Sequence, residues 1–384
     1  MAITSITVYR LRIPFHQSFR HALQERDESD AVIVKMQDGE GRTGYGESLP
    51  RPYVTGETTD SMIARICNLL APRLFDANFD PESDTFGYLD SVRNDWCRAA
   101  VDEKPVVAWN AAFCCVELAL LDWELKRSYR PLSVYLPPLR KEVIYSGVIS
   151  ADGPEEAAAT AKRYRAFGLR QIKVKVGTEN DAARLAAVRA AAGPDVELRG
   201  DANGAWSAEE AVTQLSAFEP FGLKSIEQPV AAQDVDGLVA VRRKISIPVM
   251  VDESLVTLDQ AKTLVEAGAC DLFNIRLSKC AGIGGALAMM HLALAHGIGI
   301  QVGAQVGETG ILSAAGRALA AHVPELVAAE GSFGSLLLVE DITQEDVAFG
   351  QGGAAPVPTK IGLGVTVNEE TLERLAFAKI EIHR

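Results

Sequence analysis

Three acidic residues recur at an almost constant interval. Asp201, Glu227 and Asp252 are separated by 26 and 25 residues, and each closes a short, largely apolar run. The runs read Arg199-Gly200-Asp201-Ala202-Asn203-Gly204, Ser225-Ile226-Glu227-Gln228-Pro229 and Val249-Met250-Val251-Asp252-Glu253-Ser254, preceded by Ile172-Lys173-Val174-Lys175-Val176-Gly177. A strand, a turn, a helix and a second turn take up roughly 25 residues, the size of one βα unit of an α/β barrel. Acids at that period, each at the C-terminal end of a strand, come from adjacent strands and point into the mouth where such barrels carry their catalytic groups. Three converging carboxylates repel one another. A hard divalent cation with oxygen ligands neutralises them, and Mg²⁺ typically takes a few carboxylates plus water and substrate oxygens.

The same rhythm extends on both sides. Strands are expected at 143–149, 170–176, 196–201, 224–228, 248–252, 271–277, 298–302 and 326–330, with helices at 154–167, 181–192, 208–218, 235–244, 258–267, 283–296 and 311–322. Eight strands with seven intervening helices predict a closed parallel barrel. Residues 1–130 lack this rhythm. There, strands at 3–13 and 30–37, a turn Asp38-Gly39-Glu40-Gly41, a strand at 43–47 and helices at 59–74 and 110–127 predict a separate α+β domain. Residues 16–27 read as a polar loop, 49–56 as a second Pro/Gly-bearing loop, and 131–139, with three prolines, as a linker. The tail at 364–382 has no barrel position left and is expected to return to the first domain. The resulting division is 1–135, 141–355 and 356–384.

At 384 residues the chain fits a barrel plus a smaller domain, and 48% hydrophobic with 23% charged residues is ordinary for a globular protein. A net charge of −13 argues against a nucleic-acid partner, which needs clustered Lys and Arg. The six cysteines (67, 97, 114, 115, 270 and 280) show neither CxxC pairing nor a disulfide framework. Reduced thiols, an amino terminus unlike a signal peptide, and no apolar run of the ~18 residues a membrane span needs predict a cytoplasmic protein without a membrane partner.

Lys173 and Lys175 lie two apart on a strand, so both face the same way. Inward, beside a cation, they are expected to have lowered pKa values, and a lysine brought towards neutrality serves as a general base. An isolated pair of this kind reads as exposed strand lysines, and each acid taken alone reads as a cap or turn residue. The combination is specific. Lys173-x-Lys175, Asp201-Ala202-Asn203, Glu227-Gln228-Pro229, Asp252-Glu253-Ser254 and Asn274-Ile275-Arg276-Leu277-Ser278-Lys279 resemble the enolase superfamily. Within it they are similar to the muconate-lactonizing-enzyme subgroup of the mandelate racemase/muconate lactonizing family. The resemblance implies an α+β capping domain, completed by the C-terminal tail, over a (β/α)₇β barrel. It implies Mg²⁺ (Mn²⁺ as the alternative ion) on Asp201, Glu227 and Asp252. It also implies a small-molecule carboxylate substrate, proton abstraction α to that carboxylate by Lys175, Lys173 beside the carboxylate oxygens, and a symmetric homo-oligomer. In such a site the base forms an enediolate and the cation stabilises it.

One position departs from the pattern. The subgroup usually carries a lysine after Asn-Ile at the end of the sixth strand; here it is Arg276, and Lys279 matches the outer lysine. Arginine is a poor base and a good carboxylate clamp, which favours one-base chemistry; Lys279 reaching the site would keep racemisation open. The seventh strand ends without histidine, and the segment Glu330-Gly331-Ser332-Phe333 lacks the Asp-x-Asp pair of dipeptide epimerases. Asn203, Glu308, His21 and Tyr53 are candidate substrate contacts. The specific reading is an isomerase of the muconate cycloisomerase type. The alternatives are an amino-acid, N-acylamino-acid or dipeptide racemase/epimerase, a hydroxy-acid or acid-sugar dehydratase, and an inactive barrel with a binding role.

Overall fold

The computed structural model of the chain describes residues 2–21, 24–79, 84–97, 108–150 and 153–384. Five strands come first: β1 (Ile3–Leu11), β2 (Ile13–His21), β3 (Gln24–Ser29), β4 (Val32–Asp38) and β5 (Thr43–Ser48). β1, β4 and β5 form an antiparallel sheet whose other edge is the chain's last strand, Ala376–His383. Residues 16–27 are not the expected loop. β2 and β3 pair as an antiparallel hairpin, Ile13 opposite Ser29. Its polar sequence carries no apolar alternation, so backbone pairing sets the strand. The hairpin is further held where the His16 N–H donates to Leu337 O (2.9 Å) and the Val339 N–H to Pro14 O (3.0 Å).

The helices that follow are α1 (Thr59–Arg65), α2 (Ala71–Asp76), α3 (Thr85–Cys97) and α4 (Asn110–Arg127). α3 was not expected, because its buried side chains Leu89, Arg93 and Trp96 make only a thin stripe in a polar sequence. α4 is buried along its length and lies against β5. Gly44 and Gly46 permit this approach: a Cβ at either would overlap backbone atoms of α4 at Ala119 and Cys115. Glu57 accepts the Ala111 and Ala112 N–H groups at the start of α4 (2.9 and 3.1 Å), and Asn110 Nδ2 donates to Val256 O and Lys279 O (2.7 and 2.6 Å). The helix is thereby tied to loops that carry the site.

β6 (Glu142–Ile144) and β7 (Gly147–Ile149) replace the single strand expected at 143–149. The backbone changes partner between them: the Tyr145 N–H donates to Gly353 O (2.8 Å), and the Ser146 N–H to Ala329 O (3.0 Å). From β7 the parallel strands run in order through β8 (Gln171–Lys175), β9 (Glu197–Asp201), β10 (Leu223–Glu227), β11 (Val249–Val251), β12 (Leu272–Ile275), β13 (Gly299–Val302) and β14 (Leu326–Ala329). A parallel bridge between Tyr145 and Ala329 brings the two ends of the sheet together. Between the strands stand α5 (Pro154–Ala166), α6 (Asp181–Ala192), α7 (Ala208–Phe218), α8 (Val235–Lys244), α9 (Leu258–Ala267), α10 (Gly282–Ala295) and α11 (Gly310–His322). Local chemistry sets them. α7 has a Ser207/Glu210 capping box and buries Ala211, Leu215 and Phe218 on one stripe. α9 starts on a Thr257/Gln260 capping box and ends at left-handed Gly268.

After β14 no helix longer than one turn intervenes before β15 (Ala354–Pro356), which pairs with β6. The tail is not all strand: α12 (Glu369–Leu375) precedes β16 (Ala376–His383), which runs antiparallel to β1 with Ser5 opposite His383. Among the described residues no helix is long and apolar enough to cross a membrane.

Candidate active site

Strand register brings the charged residues together. Lys175 stands beside Asp201, Asp201 beside Glu227, and Glu227 beside Met250, so that Asp252 lies just beyond β11. All five side chains of this group (Lys173, Lys175, Asp201, Glu227 and Asp252) are buried. Lys173 Nζ donates to both Glu227 oxygens (3.1 and 3.0 Å) and to Glu330 Oε2 (3.0 Å), and stands 2.8 Å from Asp201 Oδ2. Lys175 Nζ donates to Asp201 Oδ2 (2.7 Å) and Asn203 Oδ1 (2.8 Å), and Asn203 Nδ2 donates to Glu253 Oε1 (3.0 Å). Asn274 and Gln301 add N–H donors to Glu227 (2.8 and 3.2 Å). Gln228 Oε1 accepts from the Asp252 and Ser254 backbone N–H groups (3.0 and 3.1 Å), fixing that turn.

The electrostatics differ from the expectation for Lys173. Burial disfavours its ammonium, but Asp201, Glu227 and Glu330 outweigh burial and raise its pKa above the ordinary lysine value. The like-charge effect expected from a neighbouring lysine loses to three carboxylates in contact. Burial likewise opposes ionisation of Asp201, yet the two ammonium groups hold its carboxyl far below the usual range. Glu253 moves upward because burial and the neighbouring Asp201 charge act together.

β8 and β12 are four strands apart in a ring of eight, so Arg276, which follows β12, faces Lys175 across the barrel. Its guanidinium donates to Gln305 Oε1 (3.1 Å), lies 3.7 Å from Glu227, and pairs with Asp252. Lys279 is enclosed. Its ammonium donates to Asp252 O (2.7 Å), Asp252 Oδ1 (2.9 Å) and Asn274 O (2.7 Å), and burial lowers its pKa to about 8.

A cavity of about 390 Å³ opens over this floor, with Lys173, Lys175, Asn203, Glu253, Arg276 and Glu330 in its wall. Tyr53 also lines it, carried by a loop that buried Arg51 anchors to Asp30 Oδ1 (2.9 Å) and Val306 O (2.8 Å). Neither Lys279 nor Glu308 lines it, and neither do Asp201, Glu227 and Asp252, whose oxygens are held by the Lys175, Lys173 and Arg276 side chains that do. Glu308 folds back to accept the Gln305 N–H (2.6 Å), and burial raises its pKa to about 8. His21 ends β2, and its side chain lies outside the described residues. Sequence reasoning gave no role to Glu253, Gln305 or Glu330. Glu330 was within reach: it closes an apolar run 78 residues after Asp252, three further periods of 26.

The donor set suits a hard cation. Asp252 Oδ2 is buried and accepts no hydrogen bond, with the Arg276 guanidinium against it, and the other two carboxylates present oxygen alone. Among the described residues no three His, Cys, Asp or Glu groups stand as a ready-made cage. The Lys173 ammonium and the Arg276 guanidinium supply positive charge among the carboxylates instead.

A cavity at the C-terminal mouth of a parallel barrel, set over buried carboxylates and lysines from successive strands, is the layout of a barrel enzyme. Residues 156–371 match the family described as enolase C-terminal domain-like. The chain is 30% identical over 381 residues to the N-succinyl-L-Arg/Lys racemase of Bacillus cereus, covering 98% of each. It superposes on the dipeptide epimerase of Cytophaga hutchinsonii, whose structure holds Mg and the dipeptide D-Ala-L-Val, with a TM-score of 0.88 at 28% identity and full coverage of both chains. The 2-chloromuconate cycloisomerase of Rhodococcus opacus 1CP gives a TM-score of 0.88 at 27% identity, covering 98% of this chain and 100% of that one. This chain belongs to the enolase superfamily, in its mandelate racemase/muconate lactonizing branch, and is an isomerase of that superfamily.

Proposed function

We propose that the protein removes the proton α to a substrate carboxylate with Lys175 and returns a proton on the same face. This is the one-base chemistry of a cycloisomerase. The observation that carries the reading is the pair of groups across the cavity: Lys175 Nζ on one side, and the Arg276 guanidinium on the other, with Lys279 closed off from the cavity. A guanidinium does not act as a base near neutral pH. Asp201, Glu227 and Asp252 would hold Mg²⁺, which supplies Lewis-acid stabilisation of the enediolate when bound. Lys173, whose ammonium serves Glu227, Glu330 and Asp201, would turn to a substrate carboxylate oxygen once a cation takes up those carboxylates. Asn203 holds the Lys175 ammonium by its oxygen while Glu253 holds Asn203, so the base points at one place. The cap loop bearing Tyr53 covers the mouth and excludes water.

A second reading, racemisation or epimerisation of an acylated amino acid or dipeptide, is favoured by the names of the relatives reported above. One experiment separates the two: α-proton exchange in D₂O with Mg²⁺ over muconolactones, N-acylamino acids and dipeptides. Exchange that disappears in Lys175→Ala, by at least a thousandfold, supports Lys175 as the base. Deuterium on a single face of the α-carbon supports the one-base reading, whereas deuterium on both faces replaces it with the second.

A further inference from the structure

The cavity does not end at the charged floor. It runs sideways into the seam between β14 and β7, where the ring of helices is incomplete and the segment 330–353 stands in place of an eighth helix. This arm is apolar. Tyr164, Phe167 and Leu169 line it from α5 and the turn that follows; Phe333, Leu336 and Phe349 line it from the replacement segment. Its far wall is built rather than incidental. Phe349 packs edge-on to Phe333 and Phe167 (centroids 5.7 and 6.4 Å) and is backed by Tyr145, stacked at 5.8 Å. The backbone is tied down on both sides: the Phe349 N–H donates to Ser332 O (3.2 Å) and the Gly352 N–H to Phe167 O (2.8 Å). Tyr164 Oη donates to Val148 O (2.8 Å), so its ring presents carbon to the arm. Leu336 is 49% exposed and Phe167 36%, which puts large apolar surface at the outer end.

Resting on the proposed proton abstraction at Lys175, we propose that this seam arm binds the distal group of the substrate, and that the group is a bulky apolar one, aryl or extended alkyl. The reacting carboxylate sits at the charged floor, while the tail leaves it towards the seam. The aromatic walls reward each methylene buried; Arg163, which precedes Tyr164 on α5, also lines the cavity, with its exposed guanidinium on Thr160 Oγ1 (2.8 Å).

The test is a series of N-acyl-L-alanines that differ only in the tail: acetyl, hexanoyl and 4-phenylbutanoyl. The kcat/KM for α-proton exchange of the phenylbutanoyl compound should exceed that of the acetyl compound at least tenfold, chiefly through KM. That ratio should fall towards one in Phe333→Ala and in Leu336→Asp. A ratio taken within each variant is indifferent to how much of the variant folds. A wild-type ratio near one, or a high ratio unchanged by both variants, overturns the proposal. Should no compound exchange, the Lys175 reading fails for this substrate class, and calorimetry with 6-phenylhexanoate against butyrate, in Mg²⁺, still decides the arm. Binding at least tenfold tighter for the phenyl compound, lost in Leu336→Asp, supports the arm; equal binding of the two overturns it.

Discussion

In the proposed reaction, Arg276 is the residue on which the choice between one and two bases turns. At the end of the sixth barrel strand it looks across at Lys175, and it is planar, strongly cationic and hydrogen-bonded to Gln305. A lysine in its place would reach the same space with a group able to give up its proton, because an ammonium deprotonates far more readily than a guanidinium. Arg276→Lys is therefore expected to lower single-face turnover at least tenfold and to bring solvent deuterium onto the second face of the α-carbon. Locating the label in product by NMR checks both effects; unchanged turnover with label on one face would mean that Arg276 has no part in the site. Lys279 shows why residue counting along the motif was insufficient. β12 stops at Ile275 and the chain turns, so the side chain folds back onto Asn274 O and Asp252 instead of extending into the mouth. The sequence shows which residue types are present, but the end of a four-residue strand decides where the ammonium goes.

At the scale of elements, three buried glutamates do related work at helix N-termini. Glu57 caps α4. Glu117, on α4, accepts the Ile283 and Gly284 N–H groups at the start of α10. Glu47, at the end of β5, accepts the Thr309 and Leu312 N–H groups (2.7 and 2.8 Å) and the Thr309 hydroxyl (2.7 Å) at the start of α11. The last two join the first domain to the barrel. Burial raises each of these carboxyls to about 7, against the N–H donors that pull it down. A folded-state value above that of the free side chain means that this contribution to stability is fully present below about pH 4 and is lost as pH rises through 7. Wild type should accordingly gain stability over Glu47→Gln as pH is lowered from 8 to 5, by up to roughly 3 kcal/mol. Urea unfolding at each pH measures the difference, and a pH-independent gap would show that Glu47 is ionised throughout. Much of the barrel was legible because its strands are continuous apolar runs between capped helices. The β6/β7 break was not, since it is dictated by Gly353 and Ala329, some two hundred residues away. The β2–β3 hairpin was missed for the same kind of reason: its backbone pairing, not its side-chain pattern, makes it a strand.

Over the whole molecule, the charged floor belongs to the barrel, while the covering wall is assembled from distant parts of the chain. The loop with Arg51 is tied to the loop after the seventh strand, the hairpin is tied to the segment after the eighth, and α4 is tied to the turns after the fifth and sixth. Mg²⁺ held by Asp201, Glu227 and Asp252 would bind only where three strands are in register, so it would select the folded barrel over the unfolded chain. A ligand of that kind stabilises by mass action, by about 2.7 kcal/mol when present at a hundredfold its dissociation constant. Thermal unfolding of the full chain should therefore move up by a few degrees between chelator and millimolar Mg²⁺, and continue to climb with the logarithm of concentration. In Asp201→Ala the climb should vanish. That variant also leaves the Lys173 and Lys175 ammonium groups without their shared carboxylate, so its unfolding temperature without metal is expected to fall as well. The two effects separate cleanly, because only the slope against Mg²⁺ reports the cation. A wild-type unfolding temperature that ignores Mg²⁺ would leave Lys173 and Arg276 as the charges that hold the three carboxylates together, and would remove the Lewis acid from the proposed chemistry.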